Sequence, residues 1–144
     1  MKKFEDHSFD PVQCRREVEE LGDFLISSQT LRERADIQPF FRQRRQLCAY
    51  IGSYVPDVIP ADKIAFEFPF FGDFTADFVV GNSKTHSYCL VELEDAKSDS
   101  IFKAVKGKTT KEWSTRFDHG FSQLVDWFSS LSDLKNTERF ARDF

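Results

Sequence analysis

No apolar run in this sequence approaches the roughly 20 residues needed to cross a bilayer, so no membrane-spanning helix is expected. Met1-Lys2-Lys3 has lysines but no apolar stretch behind them, so a signal peptide is not expected either. Cysteine is scarce: Cys14, Cys48 and Cys89 lie far apart, without a CxxC pair. An odd count at such spacing fits free thiols in a reducing cytoplasm rather than a disulfide framework or a structural zinc site. Positive charge is not in excess. The net charge is -4, which argues against a general electrostatic grip on nucleic acid and leaves a local basic surface open. Repeats and low-complexity tracts are absent. What the chain does have is phenylalanine, 17 in 144 residues, with 40% apolar and 31% charged residues. That is one domain's length with ample aromatic area for a filled interior.

Hydrophobic spacing divides the chain. Residues 1–10 read as a polar arm. From Pro11 to about Ser28, Cys14, Val18, Leu21 and Leu25 recur at helical intervals, with Glu17, Glu19, Glu20 and Asp23 off that stripe. Asp10 suits a cap and Pro11 a first turn. A second helix is expected from Asp36 to about Tyr54, along Ile37, Phe40, Phe41, Leu47, Cys48 and Ile51. Arg44 falls near that stripe, as a stem snorkelling at its edge or, alternatively, as a buried functional arginine. Pro56 and Pro60 close these leading helices (residues 11–55).

The period then changes to two. Lys63–Phe70 alternates, Gly72-Asp73 reads as a turn, Thr75–Val80 is a second strand and Ser87–Glu94 a third. Residues 63–94 therefore form an antiparallel meander. Residues 95–116 read as a lysine-rich loop, and Phe117–Leu131 as a final helix with Phe117, Phe121, Leu124, Val125 and Phe128 on one face. The tail Lys135–Phe144 is charged. The fold class is α/β with helices flanking a central mixed sheet, in a single domain over residues 1–144 that lacks an expected last strand.

The chemistry concentrates between Thr75 and Lys97. Asp77 and Glu92 are both mid-strand acids, costly to bury without a partner. With the hairpin tip between Lys84 and Thr85, Asp77 lies opposite Glu92, about 5 Å away between Cβ atoms. Glu94 projects from the same face as Glu92, while Cys89, Val91 and Leu93 project into a core. Three such carboxylates make a hard, oxygen-rich site for Mg²⁺ or Mn²⁺. A solvated sheet face is the other reading of the same spacing, and a tip shifted by one residue removes the pairing.

Here the sequence resembles the PD-(D/E)XK nuclease superfamily and, within it, the Shedu-type (DUF4263) proteins of bacterial anti-phage defence. The resemblance is carried by F-F-G-D-F-T-A-D-F-V-V-G at 70–81, C-L-V-E-L-E-D-A at 89–96 and K-E-W-S-T-R-F-D-H-G-F-S-Q-L-V-D-W-F at 111–128. It implies a core of a helix, a three-stranded meander, a helix and a further strand. It implies metal-dependent hydrolysis of DNA by a homo-oligomer. Asp77 matches the motif aspartate and Glu92 the first acid of (D/E)XK, while Glu94 occupies the lysine position, as in some restriction endonucleases of the superfamily. Asp77, Glu92 and Glu94 would then be metal ligands, with Glu94 alternatively a general base. Gln123 matches a glutamine that recurs in related nucleases, and Glu17 or Glu20 a glutamate contributed by the first helix.

Lys103, Lys106, Lys108, Lys111 and Arg116 follow the acids closely and suit backbone phosphates; a solvated loop is the alternative. Trp113 suits stacking on a base or anchoring of that loop. His119 falls opposite the apolar face of the last helix and reads as exposed. Trp127 reads as packing at the helix edge or a subunit contact. RNA remains open as a substrate. The rival readings are a PD-(D/E)XK-fold binding or sensor module that has lost its activity, and an interaction domain that recruits a partner through a Phe-rich surface.

Overall fold

A computed structural model of the chain describes residues 4–72 and 74–134. Asp73 of the expected turn and the tail from Lys135 lie outside the described residues. The elements in order are β1 (Glu5–Asp6), α1 (Pro11–Ile26), β2 (Thr30–Leu31), a π-helical turn (Glu33–Ile37), α2 (Gln38–Arg42) and α3 (Arg45–Gly52). A 3-10 turn (Pro56–Val58) leads into β3 (Lys63–Phe70), β4 (Phe74–Asn82) and β5 (Ser87–Val91). Then come β6 (Ala96–Lys97), β7 (Phe102–Ala104), β8 (Lys111–Trp113) and α4 (Thr115–Leu134).

The main sheet runs β1-β3-β4-β5, and every pairing in it is antiparallel. The expected mixed sheet is therefore corrected for the described residues: short hairpin turns join β3, β4 and β5, and hairpins force antiparallel neighbours. The expected register of the β4–β5 hairpin holds, from Asn82↔Ser87 at the tip to Phe78↔Val91. Part of the polar arm is also corrected. Glu5 pairs with Ile64, and Phe4 packs its ring on Phe68 at 4.8 Å and Tyr88 at 5.2 Å.

Both faces of the sheet are covered. Ile64, Phe78 and Val80 pack against Phe40, Phe41, Leu47 and Cys48 of the leading helices. Ala65, Phe68, Phe70 and Val79 pack with Trp127 of α4, whose ring meets Phe70 edge-on at 5.3 Å. The faces exchange along the strands: Phe66 lies with the first cluster, Phe68 and Phe70 with the second. Glu67 between them has φ 46°, which breaks the alternation that a regular strand would impose.

α1 starts as expected, with the Asp10 carboxylate accepting the N–H groups of Val12 (2.8 Å) and Gln13 (3.2 Å). Its buried stripe differs: Cys14 and Glu17 are inside, while Val18 and Leu25 are exposed. The expected second helix breaks into the π-helical turn, α2 and α3. Arg44 marks the break with φ −123° and ψ 69°, its guanidinium lying over the Phe40 ring at 3.7 Å and bonded to Glu20 at 2.7 Å. Residues 95–116 are also not a plain loop. Ala96 and Lys97 pair with Leu31 and Thr30, and β7 and β8 form a hairpin. Among the described residues no helix is long and apolar enough to cross a membrane.

Candidate functional site

β5 stops at Val91, short of the expected Glu94, and the reason is Asp77. Its Oδ2 accepts the Leu93 N–H at 2.6 Å, so a side chain takes the donor that a continued ladder would use. Its Oδ1 accepts from Gln38 Nε2 of α2 at 2.5 Å. The same Gln38 nitrogen donates to Glu33 Oε1 at 3.1 Å, so one amide ties Asp77 to Glu33. The backbone N–H of Glu33 donates to Asp95 Oδ1 at 2.7 Å. Arg116 of α4 pairs with Asp95 at 2.5 Å and reaches Glu94 at 4.0 Å. The acids thus sit where three segments meet: the end of the meander, the π-helical turn and the start of α4.

Their electrostatics follow from that crowding. Burial pushes the Glu92 carboxyl up to about 7; the Asp77, Glu33 and Glu94 charges add to it, and a hydrogen bond from Gln123 opposes it. Glu92 Oε2 is buried with no hydrogen-bond partner, and so is Gln123 Oε1. Burial also raises Asp77, against the pull of the Leu93 N–H and the Gln38 amide. Glu33 is raised by burial, then by Asp77 and Glu94.

Glu92 and Glu94 open onto a cleft of about 450 Å³, walled on its other side by Arg116, Phe117, Gly120 and Phe121 of α4. α4 packs directly beside Glu94 here: a Cβ at Gly120 would stand 3.5 Å from Glu94 Cγ, an ordinary contact. Gln123 lies one turn beyond, against Glu92. Among the described residues no three His, Cys, Asp or Glu side chains already form a ready metal-ligand set.

The family model of the Shedu protein SduA C-terminal region matches residues 31–144. The chain belongs to this family. Shedu is an anti-phage defence family, so membership assigns the chain to defence. No curated protein and no solved structure matches it. The matched stretch of this Shedu-family chain begins at Leu31, so α1 lies outside it and Glu33 inside.

That boundary parallels a correction. Glu17 and Glu20 of α1 do not join the acid group. Glu17 is 5% exposed and accepts the Leu47 N–H at 2.8 Å, filling one of the open donors at the start of α3. Glu20 is held by Arg44. The glutamate beside Asp77 is Glu33, which sequence reasoning missed along with Gln38, Asp95 and Gly120. Asp95 directly follows the V-E-L-E run and was visible there. Glu33 carried no local signal, because a π-helical turn has no standard periodicity, and Gln38 read as an ordinary polar position of the expected second helix.

Of the basic residues, Lys103 and Arg116 line a second cavity of about 170 Å³ together with Lys97. Lys108 is bonded to Glu112, while Lys106 and Lys111 are exposed. His119 is exposed, and Trp127, at 4% exposure, is core. The thiols Cys14 and Cys48 are buried and Cys89 half-buried.

Proposed function

We propose that this chain is a divalent-metal-dependent nuclease domain of the PD-(D/E)XK type (DUF4263), hydrolysing phosphodiester bonds of DNA. The observation that carries the reading is Glu92 Oε2, a carboxylate oxygen buried beside Asp77 with no donor to satisfy it. A cation in the group removes that penalty and reverses the upward pull on Glu92. The donor set is all oxygen, which suits Mg²⁺ or Mn²⁺. Asp77, Glu92 and Glu94 would hold the ion, with Glu33 as a further oxygen donor.

When bound, the metal supplies Lewis acidity and makes the attacking water more acidic. The chain's own residues do the rest. Asp77 and Glu92 hold the ion, and Gln123 fixes the Glu92 carboxylate. Glu94 orients or deprotonates the nucleophile, in place of the motif lysine. Gln38 keeps Asp77 and Glu33 together, and Arg116 fastens the Glu94-Asp95 strand end to α4. Lys103 and Arg116 neutralise backbone phosphates on approach. Assembly into a homo-oligomer and a cytoplasmic setting belong to the same proposal.

The second reading, a PD-(D/E)XK-fold module without activity, is favoured by two observations. Glu94 stands where the motif has lysine, and the acids among the described residues are not pre-assembled as ligands. Incubation with linear DNA and Mn²⁺, beside Asp77→Ala, separates them. Cleavage by the wild type alone supports the nuclease. No cleavage by either protein, with no Mn²⁺ uptake by calorimetry, supports the inactive module.

A further inference from the structure

A small cavity of about 170 Å³ beside the acid cleft collects positive charge from three elements. Lys97 lines it from β6, Lys103 from β7 and Arg116 from α4, together with Ser114, Thr115 and one acid, Asp99. Arg116 also lines the cleft onto which Glu92 and Glu94 open, so one guanidinium stands between the two spaces.

Hydrogen bonds tie the walls together. Ser100 Oγ accepts the Lys97 N–H at 2.9 Å and donates to the Asp95 carbonyl at 2.6 Å. The Ser100 N–H donates back to the Lys97 carbonyl at 3.0 Å. Ser114 is buried, and it donates its Oγ to the Ser100 carbonyl and its N–H to the Ile101 carbonyl at 2.9 Å. The turn after β6 is thereby locked to the residue that precedes α4, and the cations are carried on a fixed frame.

Their charge is only partly answered. Lys103 is half-buried and pairs with no acid among the described residues. Lys97 meets Asp99 at 3.9 Å, and the Asp99 side chain is 58% exposed, so that pair is weak. Arg116 contacts Asp95 and Glu94 through Nη1 alone, which leaves the rest of its fork to the cavity. Three cations at close quarters repel one another, and an anion among them removes that cost. The lining also selects the kind of anion. Every residue in it is charged or carries a hydroxyl, so no apolar wall awaits a ring or a lipid chain. A carboxylate is flat and is satisfied by a single guanidinium fork. A phosphate presents oxygens in several directions, which matches two ammonium groups and a guanidinium arriving from three elements.

We propose that the Lys97–Lys103–Arg116 cavity is a phosphate-binding site, and that it takes the DNA backbone phosphate next to the one at the acids. The backbone source rests on the nuclease reading; phosphate capture does not.

The test uses the full 144-residue chain in EDTA, so that no cleavage intervenes. Inorganic phosphate is titrated into isotope-labelled protein at constant ionic strength, beside a chloride reference. The amide resonances of Lys97, Lys103, Ser114, Thr115 and Arg116 should shift and saturate with phosphate but not with chloride. Lys97→Ala and Lys103→Ala should each weaken phosphate about tenfold. Lys106→Ala, at an exposed lysine outside the cavity, should not. Asp99→Asn removes the lone acid and should tighten phosphate about threefold, a gain that misfolding cannot imitate. A fluorescein-labelled duplex followed by anisotropy supplies the second arm, in which inorganic phosphate should compete. Lys97→Ala and Lys103→Ala should each weaken the duplex. The double variant should lower the slope of log affinity against log salt by no more than about one, because both lysines serve one phosphate.

A titration that does not saturate overturns the proposal, and so does unchanged phosphate affinity in the folded lysine variants. Phosphate binding without duplex binding, or with duplex binding that these variants leave unaltered, marks an adventitious ion only and overturns it too. The nuclease reading fails separately, if no Mn²⁺ binds and nothing is cleaved, whatever the phosphate titration shows.

Discussion

Glu92→Gln is the sharpest probe of the acid group. In the unfolded chain this carboxyl titrates near 4.5; in the fold it is pushed up to about 7. Each unit of such a shift corresponds to about 1.4 kcal/mol, so the ceiling is about 3 kcal/mol. Glu92 is half-buried beside an open cleft, which trims the effect to about 2 kcal/mol. The sign follows from linkage. A folded-state pKa above the unfolded one means that the native state holds the proton more tightly. The stability this gives is complete below pH 4.5 and is lost as the pH rises through 7. Glutamine mimics the protonated acid and does not titrate. The variant should match the wild type near pH 4 and exceed it by about 2 kcal/mol at pH 8. Urea unfolding in EDTA at the two pH values measures this directly. If both proteins lose the same stability between pH 4 and pH 8, Glu92 is not the strained carboxylate and the argument for the cation loses its support. Adding Mn²⁺ at pH 8 should then stabilise the wild type and leave Glu92→Gln unchanged.

Other substitutions separate the scaffold from the site. Glu17→Ala leaves the Leu47 N–H without its acceptor, at a cost of about 1–3 kcal/mol in urea melts. Cleavage per folded molecule should be unaltered, because Glu17 serves α3 and not the acids. Gly120→Ala places a Cβ in ordinary contact with Glu94 and removes a helical glycine, so it should stabilise the fold by up to about 1 kcal/mol, read as a raised Tm. Gly120→Leu fills the cleft instead. It should leave the protein folded by circular dichroism and suppress Mn²⁺-dependent cleavage.

What the sequence determined by itself was whatever depends on near neighbours. The polar turn between β4 and β5 and the alternation on either side set a register, which holds as far as Phe78↔Val91, next to Asp77 and Glu92. Asp10 and Pro11 mark the start of α1, and apolar spacing marks α4 as a helix, though Phe121, Val125 and Phe128 of its expected face are exposed and Trp127 is buried instead. The order of the longer elements follows from those same local periods, while the short strands β1, β2 and β6–β8 and the break between α2 and α3 do not. The tertiary structure decided what depends on polar groups meeting across the chain. Asp77 ends β5 by capturing the Leu93 N–H, because a carboxylate can replace a ladder acceptor. Glu17 turns inward to fill the open donors of α3, which moves it away from the acids its helix was expected to serve. Gln38 recruits Glu33 through one amide, and no period in a π-helical turn announces it. The raised Glu92 carboxyl has the same origin: burial is a property of neighbours in space, and those neighbours come from segments that share no local pattern.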